Sequence, residues 1–238
     1  MPSRVSFKRK RSKTPSARKV VRRKTIRPTR VTPFNGVRLP MLGSMPRQMR
    51  STLRYMRKAV NLDGSTGGLA ATHTFSANGM FDPDITGAGH QPLGFDQIMQ
   101  FYNHYTVVAA RVYVSMRSTD ATNRIICGVT RTGASSFPTD PERIVENGNC
   151  SYKYLNPAGN EGESAELYLA TNIGWFLGRT DVLDDPDCKG IDSSNPGEQV
   201  YFTVWAAPDA SVDPTNVSCG VVVEYDAVFH EPVQVTKS

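Results

Sequence analysis

No aspartate or glutamate occurs before Asp63. The 62 residues ahead of it carry 19 lysines and arginines, 13 of them arginine. A segment of one sign cannot neutralise itself, which argues against an ordinary folded domain there. The rest of the chain holds only nine basic residues against all 22 acids, a balance of −13. The overall charge of +6 therefore describes neither part. Such asymmetry points to a nucleic-acid arm attached to an ordinary domain.

Cysteine is scarce. Cys127, Cys150, Cys188 and Cys219 lie 23, 38 and 31 residues apart, with no C-x-x-C pair. That spacing does not fit a zinc site, and free thiols in a reducing compartment are the expectation. Long apolar runs are missing: none approaches the roughly 18 residues of a transmembrane helix. The basic N-terminus lacks the apolar stretch of a secretory signal. The sequons at Asn149 and Asn216 are accordingly read as unused.

Enzyme signatures are absent as well. No G-x-S-x-G elbow, P-loop, H-E-x-x-H or G-x-G-x-x-G occurs. The histidines His73, His90, His104 and His230 are scattered and read as structural. Asp181, Asp184, Asp185, Asp187 and Asp192 crowd one stretch. Hard cations need such oxygen clusters, but the spacing fits no EF-hand, and an exposed loop is the preferred reading. The expectation is a protein that is not an enzyme and has no catalytic residue, cofactor or metal.

What is present divides in two. Residues 1–48 read as an arginine-rich, disordered arm: apolar residues are few, like charges repel, and Pro15, Pro28, Pro33, Pro40 and Pro46 interrupt any helix. Its candidate nucleic-acid contacts are Arg4, Lys8, Arg9, Lys10, Arg11, Lys13, Arg18, Lys19, Arg22, Arg23, Lys24, Arg27 and Arg30. Each cation that neutralises a phosphate releases counterions, and arginine also grips phosphate bidentately. Phe7 is the one aromatic before Phe34, so binding there should follow charge rather than sequence. Lys8–Arg11 and Arg22, Arg23 and Lys24 also resemble nuclear localisation clusters, implying a host nuclear import receptor as partner. A merely solubilising tail fails on sign, since the body is already negative. A membrane tether lacks an apolar helical face or a lipidation signal.

Residues 49–238 read as one all-β domain. Turn signals recur at short intervals, among them DGSTGG, TGAGHQPLG, RTGASSFPTDP and LNPAGNEGE. Between them lie eight candidate strands, at 50–62, 68–79, 104–117, 123–132, 149–155, 164–175, 198–207 and 217–231. Period-two alternation over Val108–Val114 points Arg111 away from the core. Two short helices are predicted. Phe95, Ile98, Met99 and Tyr102 form a helical stripe behind Asp96, and Asp140–Glu146 has Pro141 at its first turn. Eight strands with a helix after the second and another after the fourth suggest a single jelly roll of two four-stranded antiparallel sheets. On the first strand Arg50, Arg54 and Lys58 share one face, with Arg57 off the pattern. That face joins the nucleic-acid candidates. The alternative is a merely solvated strand.

One stretch carries a resemblance. Gly89-His90-Gln91-Pro92-Leu93-Gly94-Phe95-Asp96-Gln97, continuing to Phe101-Tyr102-Asn103-His104-Tyr105-Thr106-Val107, is similar to capsid proteins of circular Rep-encoding single-stranded DNA viruses, the circovirus-like group. The resemblance is specific over about 20 residues. It implies a viral structural protein, found in the virion and in the host nucleus during assembly. Sixty copies would form a T=1 icosahedral shell, with the arm inside on circular single-stranded DNA. It also implies that the GHQP segment leads into a helix between strands two and three. His90, Asp96 and His104 are read as structural. Two alternatives stay open: a coat protein of a small RNA or satellite virus, and a cellular nucleic-acid-binding protein whose β-sandwich binds a partner.

Overall fold

The computed structural model describes residues 45–63, 67–210 and 216–234. Chain contacts divide the protein into Met1–Leu42 and Gly43–Ser238, and only the second unit contains described residues. The arm candidates from Arg4 to Arg30, and with them both localisation clusters, lie outside the described residues.

Eight strands form: β1 (Gln48–Asp63), β2 (Ala71–Ser76), β3 (Tyr102–Ser118), β4 (Ile125–Thr132), β5 (Cys150–Leu155), β6 (Ser164–Asn172), β7 (Tyr201–Pro208) and β8 (Asn216–Pro232). They make two four-stranded antiparallel sheets, ordered β1-β8-β3-β6 and β2-β7-β4-β5. Each sheet interleaves strands from both halves of the chain, which is the jelly-roll connection.

The patterning of each strand explains its place. In β8, Val217, Cys219, Val221, Val223, Tyr225 and Ala227 are buried while Ser218, Gly220, Val222, Glu224 and Asp226 are not. That alternation is the mark of a sheet with one covered face. In β7 the run YFTVWAAP is buried throughout after Tyr201. A strand covered on both faces reads as a continuous apolar run.

The main core lies between the sheets. Leu53, Tyr55, Val112, Val114, Leu167, Val221, Val223 and Tyr225 meet Phe75, Cys127, Val129, Leu155, Phe202 and Val204. Each buried aliphatic or phenyl side chain contributes about 1.5–3 kcal/mol of transfer free energy. Two buried phenols bond to the backbone: Tyr225 donates to the Ser76 carbonyl at 2.9 Å, and Tyr105 accepts from the Met80 amide at 3.0 Å; the Tyr55 hydroxyl has no hydrogen-bond partner among the described residues. A second cluster of Ala70, Ile144, Trp205 and Ala207 lies behind the β2-β7-β4-β5 sheet. There the Trp205 indole donates to Thr130 Oγ1 at 2.9 Å.

Both predicted helices occur, with one difference. The first, α1 (Phe95–Met99), sits between β2 and β3 behind the GHQP segment and buries Phe95 and Met99. It stops before Tyr102, which opens β3 instead. The β-favouring run Tyr105-Thr106-Val107-Val108 wins that contest for the chain. In α2 (Pro141–Glu146) the Asp140 carboxylate accepts from the Glu142 amide at 3.1 Å, and Pro141 occupies the first turn. A further helix, α3 (Ile173–Leu177), replaces the end expected for strand six. Asn172 caps it by accepting from the Trp175 amide at 2.9 Å, and Gly178 closes it at φ 68.

Candidate nucleic-acid interface

Alternation along β1 sends Leu53 and Tyr55 into the core, and Arg50, Thr52, Arg54, Met56 and Lys58 to the opposite face, all exposed. Arg57 leaves the pattern for a stated reason. Its Nη1 donates to the Ala88 carbonyl at 3.0 Å, and its Nε lies 3.8 Å from the buried Asp84 carboxylate. A bulge follows between Arg57 and Val60.

Strand pairing places further side chains beside that basic row. Arg54 lies opposite Glu224, which lies opposite Arg111. Arg54 Nε donates to Glu224 at 2.8 Å; Arg111 donates to Glu224 at 2.7 Å and to Asp226 at 2.5 Å. Thr52 also donates to Asp226, at 2.8 Å. Hydrogen bonding to Glu224 raises the Arg54 pKa, and hydrogen bonding to Asp226 leads the rise at Arg111. Both guanidiniums are therefore permanent cations already shared with carboxylates.

Two residues further along each strand, about 7 Å away, the chemistry changes. Met56 pairs with Val222, Val222 with Tyr113, and Tyr113 with Tyr168. This apolar row crosses all four strands on the exposed face. Met56 is 57%, Tyr113 44% and Tyr168 49% exposed. The two phenol rings lie 5.1 Å apart, tilted at 47°. Beyond them come Lys58, Gly220, Ser115 and Glu166, and then Arg117, whose guanidinium sits 2.9 Å from Glu163.

The sequence places Arg50, Arg54 and Lys58 together, and the structure keeps them on one face. It distinguishes them, however. Arg54 is held by Glu224, whereas Arg50 and Lys58 make no ion pair among the described residues. Arg111, Arg117, Met56, Tyr113 and Tyr168 are brought to the same face by register alone. The alternation in β3 signals that Arg111, Tyr113 and Arg117 share a side; nothing in the sequence says which strands flank them.

The other candidate features have local roles. The His90 ring lies 4.9 Å from that of Tyr55, tilted at 43°, and approaches the Met56 carbonyl at 3.2 Å. His104 lies 3.3 Å from Glu231. In the aspartate-rich stretch, Asp185 pairs with Arg179 and caps the turn at Asp187, and Asp181 accepts from the Leu183 amide at 3.0 Å. Among the described residues no three His, Cys, Asp or Glu side chains converge as a metal site. All four cysteines are free thiols. Burial pushes Cys127 and Cys219 up to about 12, which leaves both protonated and unreactive.

No family model matches the chain, and no curated protein sequence matches it either. Among solved structures, the BFDV capsid protein in its 60-mer form aligns at 11% identity over 82% of this chain and 100% of that one, with a TM-score of 0.41. Turnip yellow mosaic virus aligns at 14% identity over 82% and 99%, also with a TM-score of 0.41. Cocksfoot mottle virus aligns at 11% identity over 78% and 96%, with a TM-score of 0.44. The strand order, rather than these distant likenesses, defines the fold.

Proposed function

We propose that this chain is a viral coat protein that assembles into a shell of 60 copies on T=1 icosahedral symmetry and packages circular single-stranded DNA through its basic arm. One observation carries the reading. An acid-free segment with 19 basic residues, four of them in β1, runs along this edge strand of a jelly-roll sheet whose outer face exposes Arg50, Arg54 and Lys58. The body it leads to is anionic, so the two parts divide the work: the arm binds phosphate and the β domain tiles. The GHQP and FYNHY segments, by their resemblance to circovirus-like capsid proteins, favour DNA as cargo and the nucleus as the place of assembly.

Charge agrees in scale. Sixty copies of the acid-free segment before Asp63, with 19 cations each, would bring on the order of 1,100 positive charges, comparable to the phosphates of about a kilobase. Small cations would neutralise the remainder of a longer genome. The clusters Lys8–Arg11 and Arg22–Lys24 would engage a nuclear import receptor before assembly.

Sedimentation and electron microscopy of the purified full chain test this. Closed particles of uniform size, with contents sensitive to deoxyribonuclease, are the expected result. A monomer at both low and high salt, with or without nucleic acid, rejects a coat function. Contents sensitive only to ribonuclease keep the shell but change the cargo.

A further inference from the structure

We propose that the row Met56, Val222, Tyr113 and Tyr168, with the depression over Gly220, is a stacking platform for the unpaired bases of single-stranded nucleic acid. The inference rests on the packaging function proposed above and adds base contact to the phosphate contact supplied by the arm.

Three independent observations meet at this place. The first is exposed aromatic area. Tyr113 and Tyr168 stand as neighbours on adjacent strands, each close to half exposed, with their rings 5.1 Å apart. Single-strand binding proteins combine a cationic groove with rings of this kind, because every base has a π-face to offer.

The second is the glycine at the centre. Gly220 interrupts β8, a 17-residue strand, between the outward side chains of Val222 and Ser218. Glycine weakens a strand, and in a strand interior it often marks the close approach of a ligand or another backbone. Gly220 lies opposite the β1 bulge, where Lys58 and Ala59 stand against this single residue of β8, a place that also suits glycine. Its φ is not positive, and an added Cβ would meet the Lys58 carbonyl at 3.5 Å, an ordinary contact. The missing side chain helps open a depression of about 530 Å³ that Met56, Tyr113, Ser115, Glu166 and Tyr168 also line.

The third is charge. Arg54 and Arg111 lie one row to one side of the aromatic row, and Lys58 and Arg117 lie to the other. The carboxylates of Glu224 and Asp226 are engaged by Arg54, Arg111 and Thr52, and that of Glu163 by Arg117. Glu166, at the β6 edge, makes no ion pair among the described residues. This polarity orients the ligand. Phosphates run along the β1 side, past Arg50 and Lys58, neither in an ion pair among the described residues, and bases reach over Val222 towards Tyr113 and Tyr168. There Glu166 can accept a hydrogen bond from an exocyclic amino group.

The test uses the full chain and two labelled strands of equal length, an oligothymidylate and its abasic deoxyribose-phosphate counterpart, in fluorescence anisotropy at one salt concentration. The oligothymidylate should bind about tenfold more tightly, as stacking on one or two rings requires. The double variant Y113A/Y168A should remove that difference and leave the abasic affinity unchanged. Y113F/Y168F should retain it, since the rings remain. Gly220→Val, which fills the depression with a residue that favours strands, should also reduce it, with the melting temperature as a check on folding. Equal affinity of the wild-type chain for the two strands overturns the platform and leaves the arm's role intact. A base preference that survives Y113A/Y168A places the base contact elsewhere and also overturns it. So does a change of oligomeric state in Y113A/Y168A with the preference retained, because the row would then seat a second copy. Failure to bind either strand overturns the packaging function itself.

Discussion

The ring of Tyr105 fills the space that a side chain on Gly190 would need. The two residues also exchange backbone hydrogen bonds, Tyr105 N–H to the Gly190 carbonyl at 2.9 Å and Gly190 N–H to the Tyr105 carbonyl at 2.8 Å. This bridge ties the start of β3 to the segment before β7. On the same ring, the Tyr105 hydroxyl accepts from the Met80 amide and approaches Asn195 Oδ1 at 3.4 Å. Asn195 in turn accepts from the amides of Phe81 and Asp82, both at 3.1 Å. Gly190→Ala must move a fully buried ring and disturb that network. Overpacking of this kind costs about 1–3 kcal/mol. Thermal unfolding should show a clear drop in midpoint, and an unchanged midpoint would mean that the segment yields freely.

The cations of β1 should separate by partner. For single strands, each phosphate contact contributes about 0.7 to the slope of log affinity against log salt. Arg50 and Lys58 are not committed to a carboxylate, so R50A/K58A should lower the slope by about 1.4. R54A should lower it less, because that guanidinium is shared with Glu224. Binding of a homopolymer across a salt series measures both. Equal effects of R54A and K58A would show that the ion pair opens readily to a phosphate.

Much of this arrangement is legible from alternation. β1, β3 and β8 alternate because one of their faces is open, while β7 does not because α2 and its neighbours cover its second face. The periodicity therefore tells which sheet has an exposed side before any strand is paired. It does not tell the order of strands. That Tyr113 lies between Val222 and Tyr168 depends on pairings across more than 50 residues of sequence, which no local window contains. The α3 helix was written in Asn172 and Gly178, a cap at each end, but five residues of apolar sequence following a strand look like more strand.

Buried His230 gives the domain a pH dependence with a definite sign. His230 is buried, with its Nε2 3.1 Å from Thr106 Oγ1 and its ring 5.8 Å from that of His104. Burial lowers its pKa, and Lys189 and His104 act in the same direction, against Glu231 and Asp184. The folded chain thus binds a proton there less readily than the unfolded chain. The stabilisation is complete above an unfolded histidine pKa of about 6.5 and is lost as pH falls below it. The wild-type melting temperature should fall between about pH 7 and 5, and H230Q should flatten part of that fall. Parallel losses in the two proteins would assign the acid sensitivity to other groups.

Removing the arm should separate the two proposed roles. A chain beginning at Gly43 keeps every strand, and keeps the Pro46 carbonyl that accepts from the Tyr102 hydroxyl at 3.1 Å. Its core lies after residue 50, so its melting temperature should stay close to that of the full chain. It loses 14 of the 19 basic residues that precede Asp63. Even if only half of those meet phosphates, the lost contacts are worth a salt slope of about 5, which amounts to several decades of affinity at physiological ionic strength. The ratio of absorbance at 260 and 280 nm in the assembled fraction should therefore fall to that of protein alone. Arg50 and Lys58 remain, so weak binding to free single strands should persist at low salt. Particles of the shortened chain that still carry nucleic acid at full density would move the packaging function from the arm to the β domain, and the open face with its tyrosine pair would then be the first place to look.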